Sequence, residues 1–230
     1  MKPPRLMEGD KIGVISPSWG GEAEYPHRVE RGVRYLESLG FRVKMGPHVM
    51  NYIGYVSDTA ENCVADIHEM FRDPGMKAIV PMIGGDHSCH LLPLHDFDLI
   101  RENTKIFMAY SDVSVLSVAL WTKTSLVNFS GPALMVELAE YPEVFGYTER
   151  HMLKALCSAK PVGQVEPSAW WTDEMLDWDK KDDLTRARTR QASEGWAWLK
   201  GGGPKGCSWA VAWSPCSTCG ARCTGPSWTV

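Results

Sequence analysis

No stretch of the 230 residues approaches the roughly 20 consecutive apolar positions of a membrane-spanning helix. Met1 to Asp10 carries Lys2 and Arg5 but lacks the apolar centre of a secretory signal, so a cytoplasmic protein is expected, with no membrane partner. A basic excess is lacking too. The chain has 24 lysines and arginines against 28 aspartates and glutamates, a formal charge of −4, which argues against a nucleic-acid partner. No internal repeat or low-complexity tract is evident. Over the first two thirds cysteine is sparse: Cys63, Cys89 and Cys157 stand alone and read as reduced, partly buried thiols. What remains is ordinary for a globular protein, with 44% hydrophobic and 23% charged residues. The length suits one large domain, or one domain with part of a second.

The organising stretch is Lys77 to Asp98, KAIVPMIGGDHSCHLLPLHDFD. Ala78 to Met82 reads as a buried strand, Gly84-Gly85 as a sharp turn, and Ser88 as the point where the next helix begins. On such a turn a serine is expected to be held in the open, beside first-turn N–H groups that can stabilise negative charge. That is the geometry of a nucleophile elbow, although the residues do not spell G-x-S-x-G. The same residues also suit a plain Gly-rich turn followed by an N-cap serine.

Around this stretch strands and helices alternate. Lys11 to Ser16 reads as the first core strand and Pro26 to Leu39 as a helix, with Val29, Val33 and Leu36 on one face and Gly40 after its end. Phe41 to Met45 is a second strand. Asp58 with Glu61 resembles a capping box for a helix carrying Val64, Ile67 and Phe71, which Asp73-Pro74-Gly75 ends. After the elbow come a short helix (Asp96 to Glu102), a strand (Lys105 to Ala109), a helix (Ser111 to Thr124), a fifth strand (Leu126 to Phe129) and a last helix (Thr148 to Cys157). The fold class is therefore α/β, Rossmann-like, with a mainly parallel sheet flanked by helices. Ligands on such sheets bind at the carboxyl ends of the strands, where Ser88 and the turn Tyr110-Ser111-Asp112 both fall. Composition shifts near Pro161, so 1–160 is expected to form the first domain, 161–206 the start of an incomplete C-terminal domain, and 207–230 an aberrant Cys/Trp-rich tail.

IGGDHSCHLLPLHDFDLIRENTKIFMAYSD and the turn Gly131-Pro132, with GYVSDTAENCVADIHEMFRDP and GWAWLKG, resemble the LD-carboxypeptidases, a serine peptidase family, and within it the microcin C immunity branch. The resemblance runs from about Lys11 to Gly203. It implies a Rossmann-like N-terminal domain, a swivelling β-rich C-terminal domain, and a cytosolic homodimer without metal or cofactor. It also implies cleavage of amide bonds next to a free carboxylate, in murein tetrapeptide or in aminoacyl-nucleotide toxins. Ser88 falls on the family's nucleophile; Gly85 and Cys89 are the candidate oxyanion-hole donors, and Gly84, Asp86, Ser111 and Asp112 the candidate substrate-binding residues.

The departures carry equal weight. The family completes its triad with a glutamate and a histidine from the C-terminal domain, yet no histidine follows His151 and no acidic residue follows Glu194. Cys63 and Ala109 stand where the motif commonly has arginine and glycine. His87 and His90 flank the serine, but side chains adjacent on a tight turn usually point away from it. Asp86, His87, His90, His95, Asp96 and Asp98 match no standard metal spacing, and Pro93 interrupts any helix that could align them, so no metal is expected. Cys207, Cys216, Cys219 and Cys223 could suggest a zinc knuckle, but the surrounding polar framework is missing. Arg222 is the one charged residue from Cys207 to Val230. That tail is expected to be translated out of frame: a shifted reading permits G-G-x-L-E-S-L-x-x-L-R-G-T-x-Y-W, which resembles the family's next motif. The nucleotide sequence checks this, because restoring one base must recover the missing glutamate and histidine. As given, the chain is expected to be a serine carboxypeptidase-like hydrolase with little or no activity. The alternatives are a non-catalytic small-molecule-binding remnant or an unstable fragment.

Overall fold

Apolar runs closed by glycine, proline or serine build the centre of the computed structural model, which describes residues 1–195. Strands β1 (Lys11–Ile15), β2 (Arg42–Met45), β3 (Met76–Pro81) and β4 (Ile106–Phe107) form one parallel sheet in the order β2-β1-β3-β4. Helices α1 (Pro26–Ser38), α2 (Ala60–Arg72), α3 (Phe97–Glu102), α4 (Ser114–Thr124) and α5 (Gly146–Leu156) cover its two faces. Because side chains alternate along a strand, β1 and β3 feed two cores. Ile12, Val14, Ala78 and Val80 pack with Val29 and Leu36 of α1 and Met152 and Leu156 of α5. Ile15, Ile79 and Phe107 pack on the other side with Ile67, Met70 and Phe71 of α2, Ile100 of α3 and Leu116 and Leu120 of α4. Each fully buried Val, Leu, Ile, Phe or Met among them stabilises the fold by about 1.5–3 kcal/mol. The architecture is thus the expected doubly covered α/β sheet.

Several boundaries differ from the sequence expectation. The fifth strand shrinks to a single parallel bridge, Met108 with Phe129, held by Ala109 N donating to Phe129 O and Phe129 N to Phe107 O, both at 2.9 Å. Ser130-Gly131-Pro132 follows at once, and proline has no donor with which to extend a ladder. The α2 cap is Thr59, whose hydroxyl accepts from Asn62 N at 3.3 Å. Asp58 instead accepts from Thr59 N and from the Asn62 side chain. The segment after the elbow is a 3₁₀ turn, Ser88–Leu94, rather than an α-helix, consistent with Pro93 inside it.

Residues beyond 160 return to α1. Trp178 packs against the first core and lies under the Arg28 guanidinium, 4.4 Å from ring centroid to Cζ. Asp183, almost fully buried, accepts from Arg28 (2.9 Å) and Arg31 (3.1 Å) and meets His27 at 3.2 Å. A two-stranded antiparallel ribbon, β5 (Trp170–Trp171) with β6 (Gln191–Ala192), leaves both tryptophans exposed. The 207–230 tail, its four cysteines and GWAWLKG after Gly195 lie outside the described residues. Among the described residues no helix is long and apolar enough to cross a membrane. Cys63, Cys89 and Cys157 are not disulfide-bonded.

Candidate active site

Three strand ends converge on the elbow. β3 delivers Gly84 and Gly85, β1 delivers Ser16 to Gly20, and β4 delivers Tyr110 to Asp112. The glycines are required by close approach. A Cβ on Gly84 would sit 2.8 Å from Ser111 Oγ; one on Gly85 would sit 2.3 Å from Ser18 Oγ and 2.8 Å from Trp19 N. Gly85 also has φ +152°, a conformation that side-chain-bearing residues rarely adopt. The strand-end loops are tied together as well: Trp19 N donates to Gly84 O at 3.2 Å, and Ser57 donates through N to Ser18 O (3.0 Å) and through Oγ to Ser16 O (2.6 Å).

Asp112 is the clamp. Its Oδ2 accepts from Ser88 N (2.9 Å), His87 N (3.1 Å) and Ser18 Oγ (2.8 Å), while Ser18 Oγ also accepts from His87 N at 3.1 Å. A carboxylate that takes three donors on one oxygen fixes the backbone on both sides of the serine. Asp112 therefore faces the elbow backbone, and the Ser88 N–H is already committed. Ser111, next to it, has φ +59°, an uncommon value for a residue with a side chain.

Ser88 itself departs from the open serine expected. It is fully buried, and its Oγ has no hydrogen-bond partner among the described residues. Buried hydroxyls without a partner are rare enough to call for a reason, and a reacting group is one. Asp86 and Gly85 are exposed beside it, Gly84 is buried and Cys89 is half-buried. His87 does turn away: its Nδ1 meets Asp86 Oδ1 at 2.5 Å and its Nε2 the Tyr55 hydroxyl at 2.9 Å. His90 stacks on His87, ring centroids 5.4 Å apart. Among the described residues no three His, Cys, Asp or Glu side chains converge as a metal site.

Residues that sequence reasoning passed over also gather here. Ser18 was readable only as the end of β1, and Tyr55 only as part of a loop. Glu22, in a 3₁₀ turn (Gly21–Ala23) after the β1 loop, is fully buried, and among the described residues neither carboxylate oxygen meets a partner at hydrogen-bonding geometry. Burial pushes its carboxyl up from 4.5 to about 7, opposed by the nearby Ser16 hydroxyl, which also donates to the Trp19 carbonyl at 3.2 Å, and by Glu22's own backbone N–H. Tyr110 donates to Glu137 Oε1 at 2.7 Å, and burial followed by the Glu137 charge raises its hydroxyl far above the usual tyrosine range.

The profile of the LD-carboxypeptidase N-terminal domain matches residues 12–131, which span the sheet, the elbow and the Gly131 turn. The chain belongs to the LD-carboxypeptidase family. A probable murein peptide carboxypeptidase of Bacillus subtilis is 36% identical over 158 residues, covering 64% of this chain and 49% of that protein. The microcin C7 self-immunity protein MccF of Escherichia coli is 32% identical over 180 residues, 78% of this chain and 52% of its own. MccF solved with aspartyl sulfamoyl adenosine superposes with a TM-score of 0.76 at 29% identity, over 84% of this chain and 58% of that one. An MccF-like protein from Bacillus anthracis gives a TM-score of 0.77 at 37% identity, over 85% and 57%. The chain thus spans about half the length of the curated relatives it matches. The family is one of serine-type carboxypeptidases, and the resemblance to its microcin-immunity members seen in the sequence holds in the fold.

Proposed function

We propose that this chain presents Ser88 as the nucleophile of a hydrolase that cuts an amide bond next to a free carboxylate. The substrate is a murein tetrapeptide or an aminoacyl-nucleotide of the microcin type. The observation that carries the reading is the Ser88 hydroxyl: buried, without a hydrogen-bond partner among the described residues, and set at the carboxyl end of β3 on a backbone clamped from the ends of β1 and β4. Oγ attacks the amide carbonyl carbon and its proton passes to a general base. The C–N bond then breaks as the amine leaves with a proton, and water releases the acyl group from Oγ as a free acid. The Gly85 and Cys89 N–H groups meet the oxyanion, a donor of this kind being worth roughly 3 kcal/mol of barrier. Gly84, Asp86 and Ser111 line the substrate side, and Asp112 acts as a positioning residue. No cofactor or metal takes part. A cytoplasmic homodimer accompanies this reading, and sedimentation velocity tests the dimer.

The base is the weak point of the 230 residues taken alone. His87 is held by Asp86 and Tyr55, and no histidine follows His151. Little or no turnover is therefore expected from this chain. Incubation with murein tetrapeptide and with an aminoacyl-adenylate, followed by chromatography of the products, checks that; Ser88-dependent hydrolysis contradicts it. The burial of Ser88 favours a second reading, in which the elbow binds a small carboxylate without cutting it. Affinity for aspartyl sulfamoyl adenosine that survives Ser88→Ala, with no product from the matching amide, supports that reading.

A further inference from the structure

Beside the Tyr110-Ser111-Asp112 turn an open cleft of about 260 Å³ is lined by Tyr110, Ser130, Gly131, Pro132, Glu137 and Thr148. Glu137, at its wall, is half-buried and is fixed by two donors, one per oxygen: the Tyr110 hydroxyl on Oε1 (2.7 Å) and Ala133 N on Oε2 (3.0 Å). With one donor on each oxygen, the Glu137 carboxylate still has acceptor capacity on both, and the tyrosine oxygen, having donated its proton, remains an acceptor. No described cation pairs with Glu137. The guanidinium near enough to act on Tyr110, Arg188, is paired with Glu140 and lies over Phe145 at 5.2 Å. A half-buried carboxylate without a counter-ion lowers its energy by taking one from a ligand.

We infer that the Tyr110–Glu137 cleft is a subsite for a primary ammonium group of the ligand handled at Ser88. An ammonium has three N–H donors and no acceptor. The lone pairs of Glu137 Oε1 and Oε2 and of Tyr110 Oη provide three acceptors, and Ser130 and Thr148 also line the cleft. The subsite is coupled to the elbow through two peptide bonds, since Asp112 clamps Ser88 and Tyr110 precedes it by two residues. Its placement beside a reacting serine rests on the proposed function; its chemistry does not. It selects an amino-bearing acyl group over its deaminated or N-acylated counterpart.

The Ala133 amide reports on this directly, because its N–H points at Glu137. Titrating the isotope-labelled chain with ethylammonium, and separately with uncharged ethanol, is expected to move the Ala133 resonance saturably with ethylammonium alone. Glu137→Gln is expected to weaken the ethylammonium response at least about tenfold, and Tyr110→Phe several-fold. No response, an equal response to ethanol, or an unchanged response in Glu137→Gln overturns the proposal. Should Glu137→Gln not fold, Tyr110→Phe decides: a weakened response supports the subsite and an unchanged one overturns it. Calorimetry with aspartyl sulfamoyl adenosine and its desamino counterpart forms the second arm. The amine is expected to improve affinity at least about tenfold, with the advantage lost in Glu137→Gln. Equal affinities in the native chain overturn the proposal. If ethylammonium responds as expected and neither nucleoside binds, the ammonium subsite stands and the aminoacyl-nucleotide reading fails.

Discussion

Replacing Glu22 by glutamine removes a carboxyl that the fold buries completely. In the unfolded chain this group titrates near 4.5; in the folded protein burial raises it to about 7. Below pH 4.5 both states hold the proton and the group leaves stability unchanged. As pH rises from 4.5 to about 7 the unfolded state releases its proton first, so the folded state loses stability steadily over that window, and above 7 the full penalty is in place. The shift corresponds to about 3 kcal/mol. Glutamine is nearly the same size and carries no ionisable proton, so any cost of its buried amide is the same at every pH. Urea unfolding of the native chain and of Glu22→Gln at pH 4.5, 6 and 7.5 isolates the effect, because all other titrating groups cancel in the difference. The variant is expected to gain about 3 kcal/mol relative to the native chain between pH 4.5 and 7.5, or roughly 2–4 °C of melting temperature per kcal/mol. Parallel pH profiles for the two proteins refute the reasoning, since they mean that Glu22 is ionised or solvated in the fold.

The Asp183 cluster and the elbow clamp give two more expectations. Asp183→Ala leaves Arg28 buried without its partner and is expected to cost about 3–5 kcal/mol, read by chemical denaturation; a change under 1 kcal/mol contradicts the burial of that pair. Although burial opposes its ionisation, the hydrogen bond and charge of Arg28, then His27, hold the Asp183 carboxyl below its ordinary value. Its contribution is therefore present above the usual carboxylate range and is lost as pH falls through the folded value. Asp112→Ala deprives the His87 and Ser88 N–H groups of their carboxylate acceptor and is expected to destabilise by about 1–3 kcal/mol per group left unpaired. Asp112→Asn, which keeps an acceptor oxygen, is expected to lose less. Hydrogen exchange at the Ser88 amide separates the two, and equal protection in all three proteins rules out the clamp.

Much of the fold was legible because its signals are local. Pro26 and Gly40 bracket α1, and Asp73-Pro74-Gly75 closes α2 within a residue of the observed end. β1 and β3 announce themselves as apolar runs that stop at Ser16 and Gly84. What was not legible depends on residues far apart in the chain. The fifth strand needs more of a ladder than Met108 and Phe129 provide, and its shortening is decided by the turn that follows. Ser18 meets Asp112 across 94 positions and Arg28 meets Asp183 across 155, distances at which no spacing rule operates. The elbow was readable as a turn, but neither glycine spacing nor periodicity discloses that its serine is covered. The activity came from the resemblance, carried by motifs in order; composition and the alternation of strand and helix patterns alone reached only a globular α/β chain.

The central claim is that Ser88 is the reacting atom's carrier, and a peptide boronic acid tests it without requiring a general base. Boron in place of the scissile carbonyl carbon accepts a serine oxygen directly and becomes tetrahedral, with its own oxygen in the position of the oxyanion. Boron NMR of the chain with an analogue of the murein tetrapeptide is expected to give a tetrahedral resonance, and mass spectrometry to locate the adduct on Ser88. Absence of any adduct, or one that persists in Ser88→Ala, contradicts the account.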